Sequence, residues 1–289
     1  MKERFSILFA LTVAACSTPA VDTAAPSSTT VESPASMVAK ADTGKTVEAD
    51  PHKGHVDFYS LQKEWTGACQ HGSAADERQS PIALADSLFS KSKAEEIKFA
   101  YKAADADIVD NGHTLVIKFK QDAGAVTFEG KTFALKQFHF HKTSEHSLNG
   151  KFYDMEVHFV FLNDEKDVKA VALGFLVEKG KAPKAWENFW TQVPEHKEGT
   201  EEVHEDTLIG SLTAFNVRDL IPKNKYYVYE GSLTTPPCDE FVTHVVATKP
   251  LNFSESIISK FAHYHEISNR DLQPLGDAKI RRYRTASEK

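Results

Sequence analysis

The chain has 289 residues, with 34 Lys and Arg against 41 Asp and Glu, a formal charge of −7, and 41% apolar residues. That balance specifies a globular domain and excludes wholesale disorder, and a mildly acidic chain without a long Lys/Arg run is unsuited to gripping nucleic acid. No apolar stretch reaches about 18 residues, the length a spanning helix needs.

Met1-Lys2-Glu3-Arg4 is a short basic head, followed by the apolar run Phe5–Ala15, too short to cross a bilayer but suited to a signal-peptide core. It closes on Val13-Ala14-Ala15-Cys16, which resembles a bacterial lipobox. The expectation is a signal peptide over 1–15, cleavage before Cys16 and a lipid on its sulfur. That places the protein on the periplasmic side of a bacterial membrane, held only by its lipid. The alternative is ordinary secretion with an incidental Cys. Residues 16–50 are rich in Ser, Thr, Ala and Pro and cannot offset their ordering entropy, so they read as a flexible tether.

The folded domain is expected over 51–285. Strands are predicted at Asp107–Val109, His113–Lys120, Ala125–Phe128, Ala134–His141, Met155–Leu162, Val168–Val177, Tyr226–Glu230 and Phe241–Thr248, where β-branched and aromatic residues cluster. Asn111-Gly112, Glu129-Gly130 and Asn149-Gly150 punctuate them as turns. Helical periodicity is confined to Ala185–Gln192 and Ser254–Phe261, with Ser254 placed to cap the second. Pro194–Asp206, with His196 and His204, reads as a solvated acidic loop. The fold class is mainly β (α+β): one domain around a large, mostly antiparallel twisted sheet with short surface helices. Of three cysteines, Cys16 is assigned to lipid, which leaves Cys69 and Cys238 for one disulfide in an oxidising compartment or as two buried thiols.

The densest chemistry is Gln137-Phe138-His139-Phe140-His141. On a strand, Gln137, His139 and His141 share one face and the two Phe share the other. Glu156-Val157-His158-Phe159-Val160 repeats the pattern, and a hairpin-like connection would bring His158 beside the first pair. Three neutral imidazoles with an open fourth position make a catalytic zinc site in a cleft on the sheet. Gln137 and Glu156 are then acceptors for the outer N–H of ligand histidines.

These segments, with Ser144-Glu145-His146, resemble the core of the α-class carbonic anhydrases. Further pieces fall in the family's order: Arg78-Gln79-Ser80-Pro81-Ile82, Asp110-Asn111-Gly112-His113, Tyr229–Cys238 with Leu233-Thr234-Thr235-Pro236-Pro237, and Asn269–Leu275. The resemblance spans about 55–284. It implies a zinc enzyme that hydrates CO2 reversibly to bicarbonate and a proton through hydroxide on the metal. His139, His141 and His158 would be the ligands, Thr234 and Glu145 the gate that orients the nucleophile, and His113 the proton shuttle. Val160, Leu233, Thr235, Ala172 and His244 would form the substrate pocket. Sulfonamides and anions would be inhibitors, and a homodimer is left open.

Two positions depart from the family pattern. His244 stands where a Trp is usual, which predicts a more polar pocket wall and a titratable group near the metal. His55-Val56-Asp57-Phe58-Tyr59 lacks the expected Trp and leaves the water-ordering Tyr position ambiguous between Phe58 and Tyr59. Ala172 falls where a larger aliphatic residue is common, which predicts a wider pocket. Two alternatives remain at this stage: a three-His cupin-type metalloenzyme, and a non-catalytic zinc-binding surface protein on the same scaffold.

Overall fold

Alternation of apolar and polar residues, broken by turn residues, builds most of this molecule from strands. The computed structural model describes residues 58–70, 78–88, 95–163, 169–196, 206–276 and 279–286. The expected signal peptide, tether and lipidation site at Cys16 lie outside them, as do His55–Asp57, Val168 and His204.

The strands are β1 (Ala83–Leu84), β2 (Glu95–Tyr101), β3 (Ala104–Asp110), β4 (Leu115–Phe119), β5 (Gly124–Phe128), β6 (Lys131–His141), β7 (Ser147–Leu148), β8 (Met155–Leu162), β9 (Ala170–Lys179), β10 (Thr207–Phe215), β11 (Lys225–Gly231), β12 (Val242–Ala247), β13 (Leu251–Phe253) and β14 (Arg281–Thr285). Two α-helices, α1 (Lys184–Trp190) and α2 (Glu255–Tyr264), are found among the described residues. Twelve strands join in one sheet in the order β10-β3-β4-β6-β5-β2-β14-β11-β12-β9-β13, with β8 paired to both β6 and β9. Most pairs are antiparallel; β9–β12, β9–β13 and β2–β14 are parallel. The mainly β expectation holds.

The Phe side of β6 and β8 is core. Phe138, Phe140, Phe159 and Phe161 are buried, and Phe138 and Phe140 meet Trp186 and Phe189 of α1. Each such ring stabilises the fold by roughly 1.5–3 kcal/mol through burial, which fixes which face of β6 remains for the histidines. The Ser254 hydroxyl accepts the Ile257 N–H and caps α2, as expected. The β5–β6 hairpin turns on Glu129 and Gly130, both at positive φ, the geometry of a two-residue hairpin turn.

The predicted strand at His113–Lys120 begins only at Leu115. Asn111 Oδ1 accepts the N–H groups of both His113 and Thr114, at 3.0 and 2.9 Å, so the turn extends through Thr114 and leaves His113 on it. Strands β1, β2, β7, β10, β13 and β14 lie outside the segments predicted as strands.

Candidate metal centre

β6 and β8 are antiparallel, with His139 opposite His158 and His141 opposite Glu156. This register brings the three imidazoles together, with ring centroids 4.9 Å (139–141), 5.4 Å (139–158) and 4.8 Å (141–158) apart. One ring nitrogen of each faces an acceptor. His139 Nδ1 lies 2.9 Å from Gln137 Oε1, His141 Nδ1 lies 2.6 Å from the Ser268 carbonyl, and His158 Nε2 lies 2.8 Å from Glu156 Oε1. Those nitrogens therefore carry the hydrogens. The lone pairs left over are on His139 Nε2, His141 Nε2 and His158 Nδ1.

Gln137 and Glu156 are the side-chain acceptors that face His139 and His158. Ser268 was missed, because a backbone carbonyl leaves no signature in residue type.

The site fits a cation on two counts. His141 Nε2 is buried without a protein partner, and so is Glu145 Oε2, which lies 3.5 Å from His141 Nε2 and 3.8 Å from His158 Nδ1. Burial, reinforced by the neighbouring histidines, holds His139 well below the usual histidine range and His141 at about 3. Both are thus neutral, the form that binds metal. Three imidazole nitrogens converging in such a site suit Zn2+.

A second trio, His146, Glu156 and His158, backs the first. Glu156 Oε1 takes both His146 Nδ1 and His158 Nε2 at 2.8 Å, and its Oε2 accepts the backbone N–H groups of Glu145 and His146. Burial alone would raise this carboxyl, but His146 and His158 pull it well below the carboxylate range. His146 Nε2 meets the Tyr229 hydroxyl at 2.6 Å, and that hydroxyl donates to Ser80 Oγ at 3.0 Å. His146 and Tyr229, both in motif segments, form a buried brace behind His158.

Glu145 accepts the Arg270 backbone N–H on Oε1 and lies in hydrogen-bonding reach of the Thr234 hydroxyl. Burial and the Glu156 charge push its carboxyl well above the usual range. A dication in the triad acts in the opposite sense and favours the carboxylate.

The triad opens on a cavity of about 100 Å3. Val160, Ala170, Ala172, Leu233 and Val242 give it an apolar side, while Tyr59, Asn111, His113, Thr114, Thr234 and Thr235 give it a polar one. All five expected pocket residues line it; Ala170, Val116 and Val242 are additions. Of the pair at 58/59, Tyr59 lines the cavity with its ring 6.5 Å from His141, and Phe58 packs on the His113 ring at 3.8 Å.

His244 pairs with Ala172 across β12 and β9, stacks on Tyr229 at 5.0 Å, and holds the Ser232 carbonyl at 2.9 Å through Nε2. Burial, with His146 beside it, keeps it well below the usual histidine range. It stands in the wall as a neutral ring.

Cys69 and Cys238 form a disulfide. Gln79 Nε2 donates to the Cys238 carbonyl and Arg270 Nη2 to the Cys69 carbonyl, at 3.1 and 3.0 Å, and Gln79 Oε1 accepts from Arg270 Nη1 at 2.9 Å.

Residues 60–287 match the family model for eukaryotic-type carbonic anhydrase. A carbonic anhydrase of Klebsiella pneumoniae is 34% identical over 226 residues, covering 77% of this chain and 85% of the relative. One of Neisseria gonorrhoeae is 34% identical over 199 residues, covering 68% and 74%. The solved α-carbonic anhydrase of Thermovibrio ammonificans in complex with sulfanilamide is 32% identical, with a TM-score of 0.63 over 77% of this chain and 90% of that one. The chain belongs to the α-class carbonic anhydrases. It is a zinc enzyme that interconverts CO2 and water with bicarbonate and a proton, and His139, His141 and His158 are its zinc-site triad.

Proposed function

We propose that the work of this carbonic anhydrase is divided among its residues as follows. His139 Nε2, His141 Nε2 and His158 Nδ1 hold the zinc, and Gln137, Ser268 and Glu156 fix their tautomers. Zinc in a three-histidine site supplies a nucleophile at neutral pH, because it brings the pKa of water to about 7, the established figure for carbonic anhydrases. A carboxylate only accepts hydrogen bonds, so Glu145 obliges the Thr234 hydroxyl to donate to it. The Thr234 oxygen is left as an acceptor toward the cavity and selects a reacting group that can donate.

Val160, Ala172, Leu233 and the neutral His244 ring give apolar CO2 a dry wall, with Thr235 at its edge. His113, on the turn at the cavity's polar side, passes the proton to solvent, a task suited to an imidazole. The observation that carries this division is the convergence of three lone pairs, with tautomers set from outside, on one buried point. Stopped-flow CO2 hydration with parallel metal analysis tests it: activity falls with chelated zinc and returns with added zinc. Full activity in metal-free protein would overturn it.

Residues 1–15 act as a signal peptide, Cys16 carries a lipid and 16–50 tether the domain 51–285. The basic head, the apolar run, Ala14-Ala15-Cys16 and the Cys69–Cys238 disulfide support export. Expression of Cys16→Ala in a bacterial host should move the protein from the membrane to the soluble fraction; an unchanged distribution refutes lipidation. The sulfanilamide complex of the Thermovibrio relative supports sulfonamide inhibition here.

A further inference from the structure

The segment that leaves α2 touches the site at several points. His141 Nδ1 donates to the Ser268 carbonyl, Lys142 N–H to Ser268 Oγ, and Thr143 N–H to Asn269 Oδ1. The Arg270 N–H donates to Glu145. Its first residue, His265, caps α2 with its N–H on the Phe261 carbonyl. Its Nε2 lies 3.0 Å from Asp110 Oδ1, between side chains only 10% and 6% exposed.

Asp110 ends β3, and the same Oδ1 accepts the Gly112 N–H at 3.0 Å. One carboxylate oxygen therefore joins the His113 turn to the segment that holds His141 and Glu145. The turn's far end is tied as well, by the Thr114 hydroxyl donating to the Phe140 carbonyl. Burial works against the Asp110 carboxylate, but His265 outweighs it and holds Asp110 below the usual range. His265 itself does not line the cavity.

We propose that His265, acting through Asp110, is a positioning residue for His113: it fixes the turn so that the imidazole faces both the cavity and solvent. The proposal rests on the reading of His113 as the group that exports the proton. A clasp that serves only proton export must affect maximal turnover and spare the CO2 step.

The test is stopped-flow CO2 hydration by zinc-loaded His265→Leu, His265→Gln, His113→Ala and the double variant His113→Ala/His265→Leu, each at low buffer and with added imidazole. In His265→Leu, kcat should fall several-fold, up to about tenfold, as expected for a misplaced transfer group, with kcat/KM within about twofold. Imidazole should restore the loss. Gln, whose amide N–H can reach Asp110, should recover most of kcat. The double variant should be no slower than His113→Ala.

Should His265→Leu be too unstable to assay, Asp110→Asn keeps the shape, weakens the acceptor, and should show the same selective loss at smaller size. Equal falls in kcat and kcat/KM, or a further loss in the double variant, would show a structural role and overturn the proposal. If His113→Ala shows the buffer-rescued loss while His265→Leu keeps full kcat, the clasp fails and the shuttle stands. If His113→Ala itself keeps full kcat, the shuttle reading fails first.

Discussion

Replacing both halves of the disulfide, as Cys69→Ala/Cys238→Ala, tests whether a cross-link between distant parts of the chain carries a large share of stability. The two cysteines are 169 positions apart. In the chain-entropy treatment, closing a loop that long restricts the unfolded chain by about 5 kcal/mol at 25 °C, and measured values commonly fall to about 2–4 kcal/mol. For a domain of this size each kcal/mol moves Tm by roughly 2–4 °C. A loss of about 3–5 kcal/mol therefore lowers Tm by roughly 6–20 °C. The Ala pair avoids burying new hydroxyls beside Tyr59 and Trp65, which pack on the bridge. The assay is calorimetry of zinc-loaded protein, oxidised, reduced and doubly substituted, at one zinc concentration because bound metal also raises Tm. Reduced wild type and the double variant should melt together, well below the oxidised protein. A drop of less than about 2 °C would refute the loop-closure argument.

His139→Ala, His141→Ala and His158→Ala should each lose both bound zinc and CO2 hydration; zinc retained at full stoichiometry in any of them would remove that residue from the triad. His113→Ala should lower kcat while sparing kcat/KM, with imidazole restoring turnover, and parallel falls in both would assign His113 a structural part. The metal-free protein should be less stable at pH 5 than at pH 8, judged by urea midpoints. His139, His141 and His244 are neutral in the fold, His141 with a value of about 3, whereas unfolded histidines titrate near 6.5. Below 6.5 the unfolded chain gains protons that the folded chain refuses, so this contribution is complete above 6.5 and drains away toward 3. Glu145, pushed upward, acts oppositely above 4.5, but one carboxyl faces three histidines. An equal or higher midpoint at pH 5 would refute the assignment of neutral imidazoles.

The ligand triad was legible because strand geometry converts i, i+2 spacing into a shared face, and Phe138 and Phe140 mark the opposite one. The same logic failed for β10, where Leu212 alone is buried and two register shifts break the alternation. It failed for β14, whose Arg281-Arg282-Tyr283-Arg284-Thr285 offers one buried residue, Tyr283. β2 begins with two exposed glutamates that hide its apolar side, Ile97, Phe99 and Tyr101. The metal-facing half of the site was readable from side-chain types. Its support was not, since the Ser268 carbonyl and the Arg270 N–H act through the backbone and any residue could supply them. Cysteine counting left a bridge beside the alternative of two buried thiols, and both the bridge and its attachment to the gate through Gln79 and Arg270 needed the fold.

What the site buries explains why its parts are so fully connected. His141, His158, Glu145, Glu156 and Arg270 are all nearly inaccessible to water, and a charge in such surroundings costs several kcal/mol unless it is paired. Glu156 is saturated by two imidazoles and two backbone N–H groups. Arg270 is met by Gln79 Oε1 and the carbonyls of Ser80 and Cys69. Against that background the open acceptors, Glu145 Oε2 and His141 Nε2, are 3.5 Å apart. In the metal-free fold the upward-shifted Glu145 carboxyl keeps its proton, and a dication held by the histidines would favour its carboxylate instead. Zinc therefore completes the electrostatics of the fold as well as the chemistry, and the free energy of binding it is in part free energy of folding.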